Sequence, residues 1–111
     1  MKLPNFENAV IDIAKLRDYC LNPNHRRGQH KARVFAAALG LSAADAEELQ
    51  DAITEAISNE EATVTKGDQY GQRYVVDFSM QKMDEQQARV RTTWIIRVSE
   101  DFPRLTSSYV L

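Results

Sequence analysis

The chain has 111 residues, 43% of them hydrophobic and 27% charged, which suits one domain with one core, expected over residues 1–111. Fourteen Lys and Arg stand against sixteen Asp and Glu, a net charge of −2, so the strongly basic profile of a general nucleic-acid coat is excluded and any nucleic-acid contact has to be local. A single cysteine excludes an internal disulfide framework and a cysteine-based zinc cluster.

No apolar stretch approaches the ~20 residues that cross a bilayer, so no membrane partner is expected. Residues 1–5 carry one charge and no apolar block of signal-peptide length, and a cytoplasmic location follows as the expectation. Asp12 is placed to cap a short first helix that presents Ile13, Leu16, Tyr19 and Cys20 on one side before Asn22-Pro23 stops it. Residues 22–28 are rich in turn formers and lead into a second helix, with Phe35 and Leu39 on one face and Gly40 just past its end. Ser42 and Asp45 form a capping-box pattern ahead of a third helix whose buried stripe is Leu49, Ile53 and Ile57.

Past Ser58 the period changes from four to two. Residues 62–65 read as a short edge strand with Lys66-Gly67-Asp68 as its turn. Residues 70–80 put Tyr74, Val76, Phe78 and Met80 on one face, and the following strand puts Val90, Thr92, Trp94, Ile96 and Val98 on one face; residues 81–87 connect the two as a hairpin loop. A last strand over residues 104–110 is expected to place Leu105, Ser107 and Tyr109 on one side and Arg104, Thr106 and Ser108 on the other. Helices first and strands second predict an α+β fold, N-terminal helices packed on a three- or four-stranded antiparallel sheet.

If the Tyr74, Trp94 and Leu105 faces meet the helices, the opposite face gathers Arg73, Arg89, Arg91, Arg97 and Arg104 with Thr93, Thr106 and Ser108. Such a face is either a solvated surface that deters edge pairing or an anion site, since arginine forks match phosphate oxygens. His25 and His30 flank the start of the second helix beside Lys31, where free backbone N–H groups favour an anion and histidine titrates near neutrality. Both histidines can equally serve only to cap and cover that helix start. No metal-ligand spacing, nucleophile elbow or Gly-rich phosphate loop is present, so neither metal nor cofactor is expected.

Three stretches carry a family resemblance. They are Tyr19-Cys20-Leu21-Asn22-Pro23-Asn24-His25 with Gly28 and Lys31-Ala32-Arg33-Val34-Phe35; Tyr70-Gly71-Gln72-Arg73-Tyr74 with Val90-Arg91-Thr92-Thr93-Trp94; and Pro103-Arg104-Leu105-Thr106-Ser107-Ser108-Tyr109. Together they resemble an uncharacterised bacterial toxin-type domain family, found as stand-alone proteins and at the C-terminal tip of polymorphic and contact-dependent inhibition toxins. By analogy the resemblance extends to the metal-independent ribonucleases of the Barnase, EndoU, colicin and RelE types. It ranks His25 above His30 and implies an RNA substrate, a tRNA or ribosome-held message, and a cognate antitoxin or immunity protein. Met1 stands close to the resembling region, which favours a stand-alone protein without a delivery module.

On that reading His25 is a general acid or base, Lys31 and Arg104 clamp phosphate, and Thr93 and Thr106 position it. Arg73, His30 and Tyr109 are secondary candidates, and Arg91, Arg97 and Ser108 are substrate contacts. The alternative is a non-catalytic interaction module of a toxin–antitoxin-like pair, whose arginine face binds an acidic protein.

Overall fold

The computed structural model describes residues 1–82 and 86–111. The expected hairpin loop therefore lies partly outside the described residues. Asp12 caps α1 (Ile13–Lys15), its carboxylate accepting from Ala14 N, and the chain runs on as a single π-turn, Leu16–Cys20, closed by Leu21 N donating to Leu16 O. α2 (Gln29–Leu39) ends on Gly40 in the left-handed conformation, φ 65°. Ser42 and Asp45 form the reciprocal capping box before α3 (Ala46–Asn59).

The strands β1 (Ala62–Asp68), β2 (Gly71–Gln81), β3 (Gln87–Arg97) and β4 (Arg104–Val110) form one antiparallel sheet in the order β1-β2-β3-β4. The fold is thus α+β, with the helices preceding the sheet. α2 packs against β3 and β4 and α3 against β2, while α1 packs on α3. Phe35, Leu49, Ile53, Val76, Val90 and Trp94 are fully buried between the layers, and Tyr74, paired with Trp94, packs half-buried against them. Burying a side chain of this size contributes roughly 1.5–3 kcal/mol each. Trp94 Nε1 donates to Thr92 Oγ1 at 2.8 Å and Thr92 Oγ1 to Val76 O at 2.7 Å, so these two polar groups carried into the core are satisfied.

Three expectations need correction. Lys66, Gly67 and Asp68 are strand, not turn: β1 passes through a bulge between Val64 and Gly67, and Asp68 Oδ1 closes the real turn by accepting from Tyr70 N and Gly71 N. Val98 is 75% exposed, because β3 ends at Arg97. The facing of β4 also changes along its length. Trp94 pairs with Leu105 but Thr93 pairs with Ser107, so Thr106 is the extra residue of a bulge and every position beyond it is inverted. Ser108 consequently pairs with Thr92 on the helix-covered face and is fully buried, while Tyr109 pairs with Arg91 on the open face.

Candidate functional site

The π-turn and the loop that follows it shape one wall of an open cleft of about 540 Å³. Asp12, Ala14, Lys15, Asp18 and Tyr19 come from the first helical segment, His25 and Arg27 from the loop, and Thr106 from the β4 bulge. The π-turn adds a residue to the helical repeat, so Leu16 and Cys20 enter the core while Lys15, Asp18 and Tyr19 remain on the cleft wall. Gly28 makes the loop close: a β-carbon there would stand 2.2 Å from Tyr19 O.

His25 is held by its own backbone. Its Nδ1 accepts from Arg27 N and Gly28 N, both at 3.0 Å, which in the neutral ring leaves the proton on Nε2. His25 thus closes the loop ahead of α2 and does not cap the helix itself, whose N-cap is Gly28 with no side-chain bond, and the atom left for a ligand is a hydrogen-bond donor. The ring packs edge-on against Tyr19, centroids 4.8 Å apart at 86°. Lys31 Nζ lies 5.6 Å from the Tyr19 ring centre and 4.9 Å from that of Tyr109, and donates to Ser107 Oγ at 3.2 Å. Thr93 and Thr106 share a hydroxyl–hydroxyl hydrogen bond of 2.6 Å. His30 is exposed on α2, away from the cleft lining.

The sheet-face arginines are occupied. Arg91 forks onto Asp77 at 2.9 and 2.9 Å, and this pairing, with help from Tyr109, pushes its guanidinium further toward the charged form. Arg104 forks onto Glu100 at 2.8 and 2.7 Å and covers the Phe102 ring. Arg97 approaches Glu100 at 4.0 Å, Arg73 meets Asp68 at 3.4 Å and Arg89 donates to Ser79. The Arg104 fork holds the Glu100 carboxyl below the usual carboxylate range, so the pair is charged on both sides near neutrality. The anion-binding charge expected of this face is thus largely neutralised by acids that the facing count left out.

Unpaired positive charge sits elsewhere. Among the described residues Lys15, Arg27 and Lys31 have no carboxylate partner. Arg17 grips Asp18 and holds its carboxyl low, so this acid of the cleft wall is charged and paired within its own helical segment. The structure therefore brings His25 and Thr106 into one cleft, joins Thr93 to Thr106, and sets the Lys31 ammonium over the rings of Tyr19 and Tyr109. It does not bring His30, Arg73, Arg91, Arg97, Arg104 or Ser108 into the cleft lining. Sequence reading missed Lys15 and Arg27, whose signal was their position on either side of the Tyr19 to His25 motif.

Burial pushes the Cys20 thiol up, in keeping with a core role and not a nucleophile's. Among the described residues no three His, Cys, Asp or Glu side chains converge as a metal site. No helix there is long and apolar enough to cross a membrane.

Two comparisons bear on this arrangement. Residues 2–111 match the model of a family described as a domain of unknown function, DUF6883. One chain of a contact-dependent growth inhibition toxin–immunity protein complex from Klebsiella pneumoniae 342 shares the fold, with a TM-score of 0.65 and 15% identity over 95% of each chain. No curated protein matches the chain.

Proposed function

Taking as premise that the chain belongs to the DUF6883 family, we propose that it is a small toxin-type domain that cleaves RNA without metal, by attack of a ribose 2′-hydroxyl on the adjacent phosphate. The observation that carries this reading is the meeting of His25 and Thr106, 81 positions apart in sequence, in one cleft whose Lys15 and Arg27 have no carboxylate partner among the described residues. The likeness in fold to a chain of a toxin–immunity complex supports the wider class and suggests a cognate protein partner.

In the proposed reaction the O2′–P bond forms as the P–O5′ bond breaks, giving a 2′,3′-cyclic phosphate and a 5′-hydroxyl. The 2′-hydroxyl proton passes to solvent. The leaving 5′-oxygen takes its proton from an ammonium, either Lys15 on the cleft wall or Lys31, which lies outside the lining over the Tyr19 ring. His25 Nε2–H and the Thr106 hydroxyl, held by Thr93, donate to the non-bridging phosphate oxygens, and Arg27 adds charge to the same phosphate. His25 so placed stabilises the phosphorane as a fixed donor, because taking up a proton at Nδ1 would break both backbone bonds. Arg104 joins the clamp when substrate competes it away from Glu100, and Tyr109 assists by holding Lys31.

The acidic total charge favours a defined RNA over indiscriminate binding. The test is cleavage of a tRNA pool and of a ribosome-bound message in EDTA by wild type, Lys15→Ala, Lys31→Ala and His25→Ala. Loss of a donor of this kind typically costs 10²- to 10³-fold. A wild type that leaves all RNA intact and a host growing normally would reject the reading.

One observation favours a second reading, a non-catalytic module binding a protein partner. The forks Arg91–Asp77 and Arg104–Glu100 fix a surface of mixed charge, which suits a complementary protein face better than a phosphate chain. On that reading Asp77→Asn weakens partner capture and His25→Ala leaves it unchanged.

A further inference from the structure

Tyr19 meets two of the groups that the proposed reaction uses, His25 and Lys31, and is itself no donor to phosphate in that scheme. Its ring meets the imidazole of His25 edge-on at 4.8 Å and lies under the Lys31 ammonium at 5.6 Å, and the same side chain lines the cleft. Its main chain is fixed as firmly. Tyr19 sits inside the π-turn, and its carbonyl is so close to Gly28 that no β-carbon fits between them. Gly28 N in turn donates to His25 Nδ1. The Tyr19 main chain, Gly28, the His25 imidazole and the Tyr19 ring thus close a loop of contacts, and Lys31 joins it from α2.

We propose that Tyr19 is a positioning residue, which fixes the His25 ring with Nε2 toward the cleft and sets the Lys31 ammonium beside it. The backbone bonds to Nδ1 set the tautomer but leave the ring plane free to tilt about them. The Tyr19 ring removes that freedom, and it does so with its aromatic faces and edges, not its hydroxyl. Lys31 is likewise held between two ring faces and one hydroxyl, with no carboxylate partner among the described residues. This inference rests on the RNA-cleavage reading for its catalytic consequence but not for its structural content, which the experiment separates.

The experiment compares wild type, Tyr19→Phe and Tyr19→Leu by NMR of the imidazole nitrogens and ring protons of His25, and by the kinetics of RNA cleavage. Wild type should give NOEs between the two rings and ring-current-shifted His25 protons. Tyr19→Phe should keep both, with cleavage within about threefold of wild type. Tyr19→Leu should lose the ring-current shift while Nδ1 still reads as an acceptor, and kcat should fall by roughly 10- to 100-fold with a smaller change in KM, as for a misplacement on the order of 1 Å. If Tyr19→Leu does not fold, the NOEs in wild type and the rescue by Tyr19→Phe still decide. Wild type without ring-to-ring NOEs, or a folded Tyr19→Leu that cleaves like wild type, overturns the proposal. Ring coupling seen as expected in a wild type that cuts no RNA keeps the positioning role and rejects the ribonuclease reading.

Discussion

Gly28→Ala should do damage out of proportion to one methyl group. Gly28 has φ −91° and ψ −10°, a conformation open to any residue, so the backbone itself sets no barrier. The obstacle is contact: the new β-carbon would lie 2.2 Å from Tyr19 O and 3.0 Å from Tyr19 C, whereas a carbon and a carbonyl oxygen ordinarily stand about 3.3 Å or more apart. Main-chain atoms cannot swing aside, so the π-turn and the His25 loop have to separate by about 1 Å. Overpacking of this kind costs about 1–3 kcal/mol, which for a domain of this size lowers Tm by about 4–12 °C. Gly67 supplies the internal control, since a β-carbon there meets only the flexible end of Gln72, at 3.0 Å. Gly67→Ala should therefore melt within about 2 °C of wild type. Both variants are compared by thermal circular dichroism, with RNA cleavage measured well below either midpoint. Gly28→Ala should lose activity there as well, by roughly tenfold or more, because the same displacement moves His25. A Gly28→Ala protein as stable and as active as Gly67→Ala would refute the argument.

Glu100→Gln should release Arg97 and Arg104 and tighten RNA binding in a filter or polarisation assay at low salt; weaker binding would contradict the occupancy of those arginines. The same substitution tests pH linkage. Because the Glu100 pKa is lowered in the fold, its contribution is present above the unfolded value of about 4.3 and is lost as pH falls through the lowered one. The stability gap between wild type and Glu100→Gln in urea should accordingly close on acidification from pH 6 to pH 3. Ser108→Ala should leave RNA cleavage intact and stability unchanged or raised by about 1 kcal/mol, since Ser108 Oγ is buried without a partner among the described residues; loss of cleavage would restore it as a substrate contact. Thr92→Val should cost about 1–3 kcal/mol in urea unfolding by stranding the Trp94 N–H, and an unchanged midpoint would contradict that bond.

The layers were legible because the period changes near residue 60, and the helix ends were legible because Asp12, Gly40 and the Ser42–Asp45 box act locally. The facing of β4 was not. A bulge at Thr106 depends on how Trp94 and Leu105 settle in the core, and once it forms, strict alternation misplaces Ser108 and Tyr109. The arginine face misled for a related reason. Asp77, Asp68 and Glu100 reach those arginines across strands or from turns, so counting one sign along each strand overstated the charge. His25 was legible as a residue, but its hydrogen bonding depends on the loop closing on Gly28. Lys15 and Arg27 became part of the site only because a π-turn and that loop face each other.

If the cleft containing His25 and Thr106 cleaves RNA as proposed, the chemical nature of the RNA ends reports it. Purified wild type incubated with tRNA in EDTA should yield fragments with 2′,3′-cyclic phosphate and 5′-hydroxyl termini, and a folded double variant Lys15→Ala/Lys31→Ala should yield none. Intact RNA with wild type, or fragments that appear equally with the double variant, would contradict it.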